Sequence, residues 1–377
     1  MNSKLSLKVN YIYNFISQIL TLIIPMVTTP YIARVLRENG NGQYSFSFSI
    51  ITYFILFANL GFNTYGQREI SKYRNDPMKR TKVLAEISIV RSITTFIAIL
   101  ILFIALFFGI FGEKYTLIIV ALSIQLIAVP FDINFYYQGL ENFRAIAIRS
   151  IILKIMGLIG VFLFVKTEND TWIYALCLSI SVMLSNLVLW PSVLKDCTKI
   201  TFRDVELKKH IKPAIVIFLP ALAVTIYSVL DKTMIGFLAV SPDYENGCYE
   251  QAYKLNSIAL LLITVISPIF SSRNSYEHAM GNEDKLKNNI YLASNYVWLI
   301  GLPLTAFFLV LSPNLCSWFL GGGFYEVPLL LRIMSVRFLL SGFSEIFGNQ
   351  LFVSIGREKY TTIATFSAAL VNFFSNF

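Results

Sequence analysis

The sequence predicts an all-α, polytopic membrane protein, and three observations carry that reading. Of 377 residues, 56% are hydrophobic and only 14% are charged, with a mean hydropathy of +0.64. Long uncharged stretches recur along the chain, and Lys and Arg crowd into alternate connections between them. A soluble protein of this length would be far more polar, a disordered chain less hydrophobic, and a disulfide-stapled secreted module richer in cysteine.

A helix needs about 20 apolar residues to cross the ~30 Å hydrocarbon core. Runs that satisfy this place spans at about 9–35, 43–66, 86–112, 115–138, 145–165 and 171–194, then 212–238, 248–272, 289–311, 327–355 and 360–377. That is ten complete helices and an eleventh that stops at Phe377, as a truncated product or partial sequence would. Continuous apolar runs favour helices over barrel strands, which would alternate apolar and polar residues. The first run is too long for a secretory signal and ends in Pro-Tyr-Ile-Ala-Arg without a small-residue cleavage site, so it is expected to stay as an uncleaved helix.

With the N-terminus in the cytoplasm, inside loops hold 20 basic residues and outside loops only Arg37, Lys114 and Lys166. This asymmetry sets the orientation and accounts for most of the +9 net charge, so no nucleic-acid partner is expected. Membrane lipid is the expected surrounding. The basic stretch Val205–Ile211 could form a short interfacial helix, its lysines meeting anionic headgroups. The four cysteines lack CxxC spacing and His210 and His278 lack ligand-like neighbours, so no metal and no cofactor is predicted.

Spans one and seven resemble each other. Each carries prolines and is followed by a Gly-x-Tyr that opens the next span, Gly42-Gln43-Tyr44 and Gly247-Cys248-Tyr249. Six spans separate them, so orientation is preserved and a parallel repeat follows, dividing the chain into lobes 1–200 and 201–377. Pro25, Pro30 and Pro220 each remove a helix hydrogen bond, as a packing kink or as the hinge of a moving, cavity-lining helix.

Within the spans five acids (Glu86, Asp132, Asp231, Glu250 and Glu345) face eight basic residues. At 1.5 Å per residue, Arg332 lies roughly 8 Å and Arg337 roughly 15 Å along span ten, the latter near mid-bilayer. A guanidinium there must face protein, water or an anion, which makes Arg337 and then Arg332 the first cavity candidates. Asp231 with Lys232, and Glu250 with Lys254, lie near the outer ends of spans seven and eight, as structural pairs or as substrate contacts. Asp132 could serve as a cation or proton site, or as partner to an arginine such as Arg149. Glu86, Arg91, Arg34 and Arg149 lie near span ends, where headgroup contact or snorkelling is expected. The excess of cations suits an anionic cargo head, for which Arg offers bidentate geometry, and suits a cationic drug poorly.

PYIARVLRENGNGQYSFSFSI (residues 30–50), GFNTYGQREISKYRND (61–76), FDINFYYQGLENFRAIAIRS (131–150), YSVLDKTMIG (227–236) and CYEQAYKL (248–255) resemble, in order, the polysaccharide repeat-unit flippases of the multidrug/oligosaccharidyl-lipid/polysaccharide exporter superfamily, of O-antigen, capsule and exopolysaccharide type. The resemblance implies a two-lobed, MATE-like bundle in the bacterial cytoplasmic membrane. It implies a cargo of undecaprenyl-pyrophosphate-linked oligosaccharide, moved from inner to outer leaflet by alternating access, with polysaccharide polymerase and chain-length machinery as further partners. Coupling to an ion gradient would fall to Asp132 or Asp231. The family's usual Leu-Gly is replaced here by Leu36-Arg37-Glu38, and its members carry more spans than this chain.

Two rival functions remain. A cation-coupled multidrug exporter of the same superfamily would show acidic dominance within the spans. A membrane polymerase or glycosyltransferase, an enzyme where a flippase is not, would need clustered carboxylates, and no DxD, DDxxD or HExxH occurs.

Overall fold

The computed structural model describes residues 7–198 and 206–375, with side-chain surroundings from residue 23 onward except at positions 145, 220 and 227. All regular structure among them is helical. Backbone contacts group the chain into two compact units. The first takes in residues 43–229 with the chain up to Thr28, and the second takes in 29–42 and the chain from Leu230 onward.

The first unit draws on α1 (Leu7–Asn59), α2 (Phe62–Lys72), α3 (Pro77–Phe107), α4 (Glu113–Ile127), α5 (Asn134–Gly139), α6 (Phe143–Phe164), α7 (Thr171–Leu187), α8 (Trp190–Asp196) and the start of α9 (Lys208–Leu238). Asp76 caps α3, accepting the Lys79 backbone N–H at 3.1 Å ahead of Pro77 at the first helical position. That bond holds the Asp76 carboxyl below the usual carboxylate range. The core of this unit joins Phe62, Tyr65 and Ile70 of α2 to Ile87 of α3, Phe135 and Tyr136 of α5, and Val193 of α8. The outer face of α3 is equally apolar: Phe96, Ile97, Leu100, Ile101, Ile104 and Phe107 are all exposed. A helix hydrophobic all round belongs in lipid.

The second unit comprises the end of α9, α10 (Pro242–Thr264), α11 (Ser267–Ala279), α12 (Glu283–Phe319), α13 (Val327–Ser335), α14 (Arg337–Glu345), a π-helical stretch Ile346–Val353, and α15 (Glu358–Ser375). One face of α10, marked by Cys248, Ala252, Leu255, Ala259 and Ile263, joins Ala293 and Val297 of α12 and Phe338 of α14 in the core. The alanines let helix backbones approach closely, the usual solution where lipid removes the hydrophobic drive between helices.

Eight segments among the described residues are long and apolar enough to cross a membrane. The first predicted turn falls where the run labelled α1 is two helices joined at a kink: Arg37 (φ 51°, ψ −167°) breaks the helical backbone between the first two predicted spans, which together occupy the segment Ile23–Lys72. The predicted spans 212–238 and 360–377 correspond to α9 and α15, outside those eight. Val205 lies outside the described residues, and Lys208 to Ile211 form the first turn of α9, with His210 buried instead of lying on a headgroup surface.

Pro25 and Pro30 lie within the helical run of α1, as Pro220 does within α9, although the surroundings of Pro220 lie outside the described residues. The backbone break falls at Arg37, past both α1 prolines. Asn41 repairs it: its Nδ2 donates to Ile32 O at 3.2 Å and Arg37 O at 2.6 Å, and its Oδ1 accepts from Gln251 Nε2 at 2.7 Å. Gly42 and Gly247 then meet within the second unit, so close that a Cβ on Gly42 would stand 1.7 Å from Asp243 O and one on Gly247 2.0 Å from Glu38 O. The glycines of the two repeated motifs are thus the contact between them.

Candidate functional site

Five of the six predicted site residues come together in the second unit. Glu250, on the buried face of α10, takes Lys232 Nζ at 2.6 Å on one oxygen and Lys254 Nζ at 3.1 Å on the other. The Lys254 contact follows from one helical turn of spacing along α10, whereas Lys232 reaches across from α9. Asn246 Nδ2 donates to Lys232 O at 2.6 Å and fixes that approach. Beside Lys232 in sequence, Asp231 accepts hydrogen bonds from the Tyr249 hydroxyl and, at 3.0 Å, from Asn372 Nδ2.

Arg337 opens α14 and lays its guanidinium over the ring of Tyr253, 5.2 Å from the centroid, while Lys232 Nζ lies 5.0 Å from the same ring. Tyr249 and Tyr253, a turn apart on α10, stack at 6.2 Å. Three cations therefore surround two carboxylates, and Arg337 has an aromatic face for a neighbour instead of an acid. Among the described residues it makes no ion pair. Arg332 is not part of this group: it is exposed on α13, on the side of Leu329 and Ile333.

The first unit holds a second buried charge cluster. Asp132 takes the Asn134 backbone N–H at 3.0 Å and Asn63 Nδ2 at 3.4 Å, with Arg91 Nη2 3.9 Å away. Arg91 Nη1 also donates to Asp132 O at 2.6 Å, and Arg149 Nη2 donates to Asn134 Oδ1 at 2.8 Å. These arginines are 1% and 7% exposed, so neither snorkels, and Arg149 Nε and Nη1 are buried without partners among the described residues. Arg91 is the arginine within ion-pair distance of Asp132, and Arg149 stands beside them on Asn134. Glu86 is likewise interior: it accepts from His210 Nε2 and the Glu206 backbone N–H, both at 2.7 Å, with Lys209 Nζ at 3.2 Å. Tyr65 Oη completes the group, 2.7 Å from His210 Nδ1. Arg34 is exposed, as expected, and donates to Trp318 O at 2.7 Å.

Sequence reasoning missed Tyr249, Tyr253 and Asn372. The tyrosines carried a signal, their i,i+4 spacing around Glu250, while Asn372 is brought to Asp231 only by the packing of α15.

Charged groups buried inside apolar helices are costly and mark paired or functional sites in membrane proteins. The fold has known counterparts. The chain is similar to a structure of the lipid II flippase MurJ in an inward closed conformation, with TM-score 0.73 and 15% identity over 96% of this chain and 79% of that one. It is also similar to an inward-facing multidrug resistance MATE family transporter, with TM-score 0.65 and 14% identity over 93% of this chain and 88% of that one. Both likenesses concern the fold. Residues 7–274 match the family described as polysaccharide biosynthesis protein, and the chain belongs to that family. Relatives include a candidate O-antigen transporter of Shigella dysenteriae, 26% identical over 97% of this chain and 91% of its own length. Another, of Escherichia coli (strain K12), is 22% identical over 98% and 89%.

Proposed function

We propose that the protein flips a lipid-linked oligosaccharide across the bacterial cytoplasmic membrane, taking an undecaprenyl-pyrophosphate-bound repeat unit from the inner to the outer leaflet. The observation that carries this reading is the charge balance of the site: Lys232, Lys254 and Arg337 against Asp231 and Glu250, inside apolar helices. A pyrophosphate headgroup is the ligand such a site suits, because guanidinium and ammonium groups bind phosphate oxygens through short, charge-assisted hydrogen bonds. Arg337, with no carboxylate to satisfy it, supplies the first contact; the lysines, shared with Glu250, supply a second. Family membership, the O-antigen transporter relatives and the flippase-like fold support the same reading.

The polyprenyl tail stays in lipid while the head is held, and alternating access re-exposes the head on the far side. Pro25, Pro30 and Pro220 are the hinge candidates on α1 and α9. Asp132, beside Arg91, and Asp231, bonded by Tyr249 and Asn372, are the ion-coupling candidates. A multidrug exporter shares the fold but needs a site that attracts cations, and this cluster carries the opposite net charge.

A strain lacking the gene is expected to accumulate lipid-linked repeat units on the inner leaflet. The wild-type gene restores surface polysaccharide, and Arg337→Ala restores less than a tenth of it at equal protein level. Full restoration by Arg337→Ala would refute the site assignment.

A further inference from the structure

The last acid of the spans has no part in the site above. Glu345 ends α14, immediately before the π-helical stretch Ile346–Val353, and lies within the apolar segment Val327–Val353. It makes no ion pair among the described residues. Its Oε2 accepts from Ser267 Oγ of α11 and from Asn349 Nδ2, each at 2.8 Å, and its Oε1 has no hydrogen-bond partner among the described residues. With Thr264, Pro268 and Ser271 these residues line a cavity of about 350 Å³. A carboxylate within a membrane span that no protein cation neutralises calls for a counter-charge, and π-helical turns recur at functional sites.

The donor inventory says which counter-charge. The hydroxyl hydrogens lining the cavity are already committed to protein acceptors: Ser267 to Glu345, Ser271 to Asn349 O at 2.9 Å and Thr264 to Leu260 O at 3.4 Å. One Asn349 amide hydrogen is committed to Glu345. What remains, beside the second Asn349 amide hydrogen, are oxygen lone pairs, on three hydroxyls, on Asn349 Oδ1 and on Glu345 Oε1. A turn further on, Asn274 Oδ1 and Gln350 Oε1 are buried without partners among the described residues, so acceptors are in excess along this helix pair. An anion or a phosphate would find almost no donors here. A hard cation finds the neutral oxygens and the single negative charge it prefers, and one carboxylate without His or Cys matches a monovalent ion better than a divalent or transition metal.

We propose that Glu345, Asn349, Ser267, Ser271 and Thr264 form a binding site for a monovalent metal cation, Na+ or K+, in the second unit. The site is separate from the basic cluster and does not depend on the identity of the cargo. Equilibrium binding of radioactive Na+ to the full chain, purified in detergent, tests it. With the ion-coupling candidates removed in every sample by Asp132→Asn and Asp231→Asn, the expected result is saturable binding near one ion per chain, weakened at least tenfold in Glu345→Gln and several-fold in Ser267→Ala. The exposed charge-removing control Asp284→Asn should bind as wild type does. Competition by KCl in place of NaCl identifies the preferred ion, and choline chloride should not compete. Should Glu345→Gln fail to elute as a monodisperse species, Ser267→Ala and Asn349→Ala carry the test. Absence of saturable Na+ or K+ binding to the wild type, equal displacement by choline, or undiminished binding in well-folded variants would overturn the proposal.

Discussion

Arg37 shows how much one position can cost. Its φ of 51° with ψ of −167° belongs to backbone territory that glycine enters freely and a side chain with a Cβ does not. The flippases this sequence resembles usually have glycine there. Arg37→Gly is therefore expected to stabilise the protein by about 1–3 kcal/mol, seen as a raised midpoint in thermal unfolding of the detergent-solubilised chain. An unchanged or lower midpoint would mean the arginine side chain contributes as much as its backbone costs. Glu86 makes the opposite case. Its carboxylate gathers His210, Lys209 and the Glu206 N–H in the first unit, so Glu86→Ala leaves buried donors without an acceptor and should cost roughly 3 kcal/mol. Stability within about 0.5 kcal/mol of wild type, the range of ordinary surface substitutions, would show the group to be hydrated and dispensable. Arg37 was marked in the sequence by the missing glycine, whereas nothing announced the role of Glu86. Glu86, Arg91 and Arg149 lie near span ends, and in a helix as apolar outside as inside, periodicity does not say which way a charged side chain points.

Among the elements, the repeated Gly-x-Tyr motifs were visible as a pattern but not as a contact. The pattern says that a glycine recurs. Only the fold says that Gly42 and Gly247 each lie against the other's helix, where a Cβ would collide with a carbonyl oxygen, Asp243 O for Gly42 and Glu38 O for Gly247. Gly42→Ala and Gly247→Ala should each cost upward of 1–3 kcal/mol, the usual penalty of overpacking, because backbone and not a side-chain tip must yield. The measurable result is a several-fold fall in the monodisperse fraction on size-exclusion chromatography; unaltered elution of both variants would mean the helices separate readily. The spans were legible because twenty apolar residues in a row admit few alternatives. The break between the first two spans was legible too, but not its tightness: the one non-helical residue, Arg37, separates the two helices, and Asn41 closes the hydrogen bonds that Arg37 opens. The π-helical stretch after Glu345 leaves no compositional trace at all.

For the whole molecule, the asymmetry of Lys and Arg predicts a cytoplasmic N-terminus, which puts the α9–α10 connection outside and the α11–α12 connection inside. Val240 and Met280 mark them, both exposed. In a chain whose native cysteines are replaced, Val240→Cys should react with an impermeant maleimide in intact spheroplasts and Met280→Cys only after lysis; the reverse pattern would invert the topology. The grouping of charged residues in the candidate site was legible in part. Position along a span singled out Arg337, Lys232, Lys254, Asp231 and Glu250, but depth alone also selected Arg332, which the turn of the helix points elsewhere. The central claim, that cations in apolar helices receive a pyrophosphate-linked headgroup, is tested most directly by flipping in proteoliposomes. Reconstituted wild type should bring a fluorescent polyprenyl-pyrophosphate oligosaccharide across the bilayer, and Arg337→Ala, folded and equally inserted, should do so at least tenfold more slowly, with Arg337→Lys between them. Equal rates for wild type and Arg337→Ala would contradict the account.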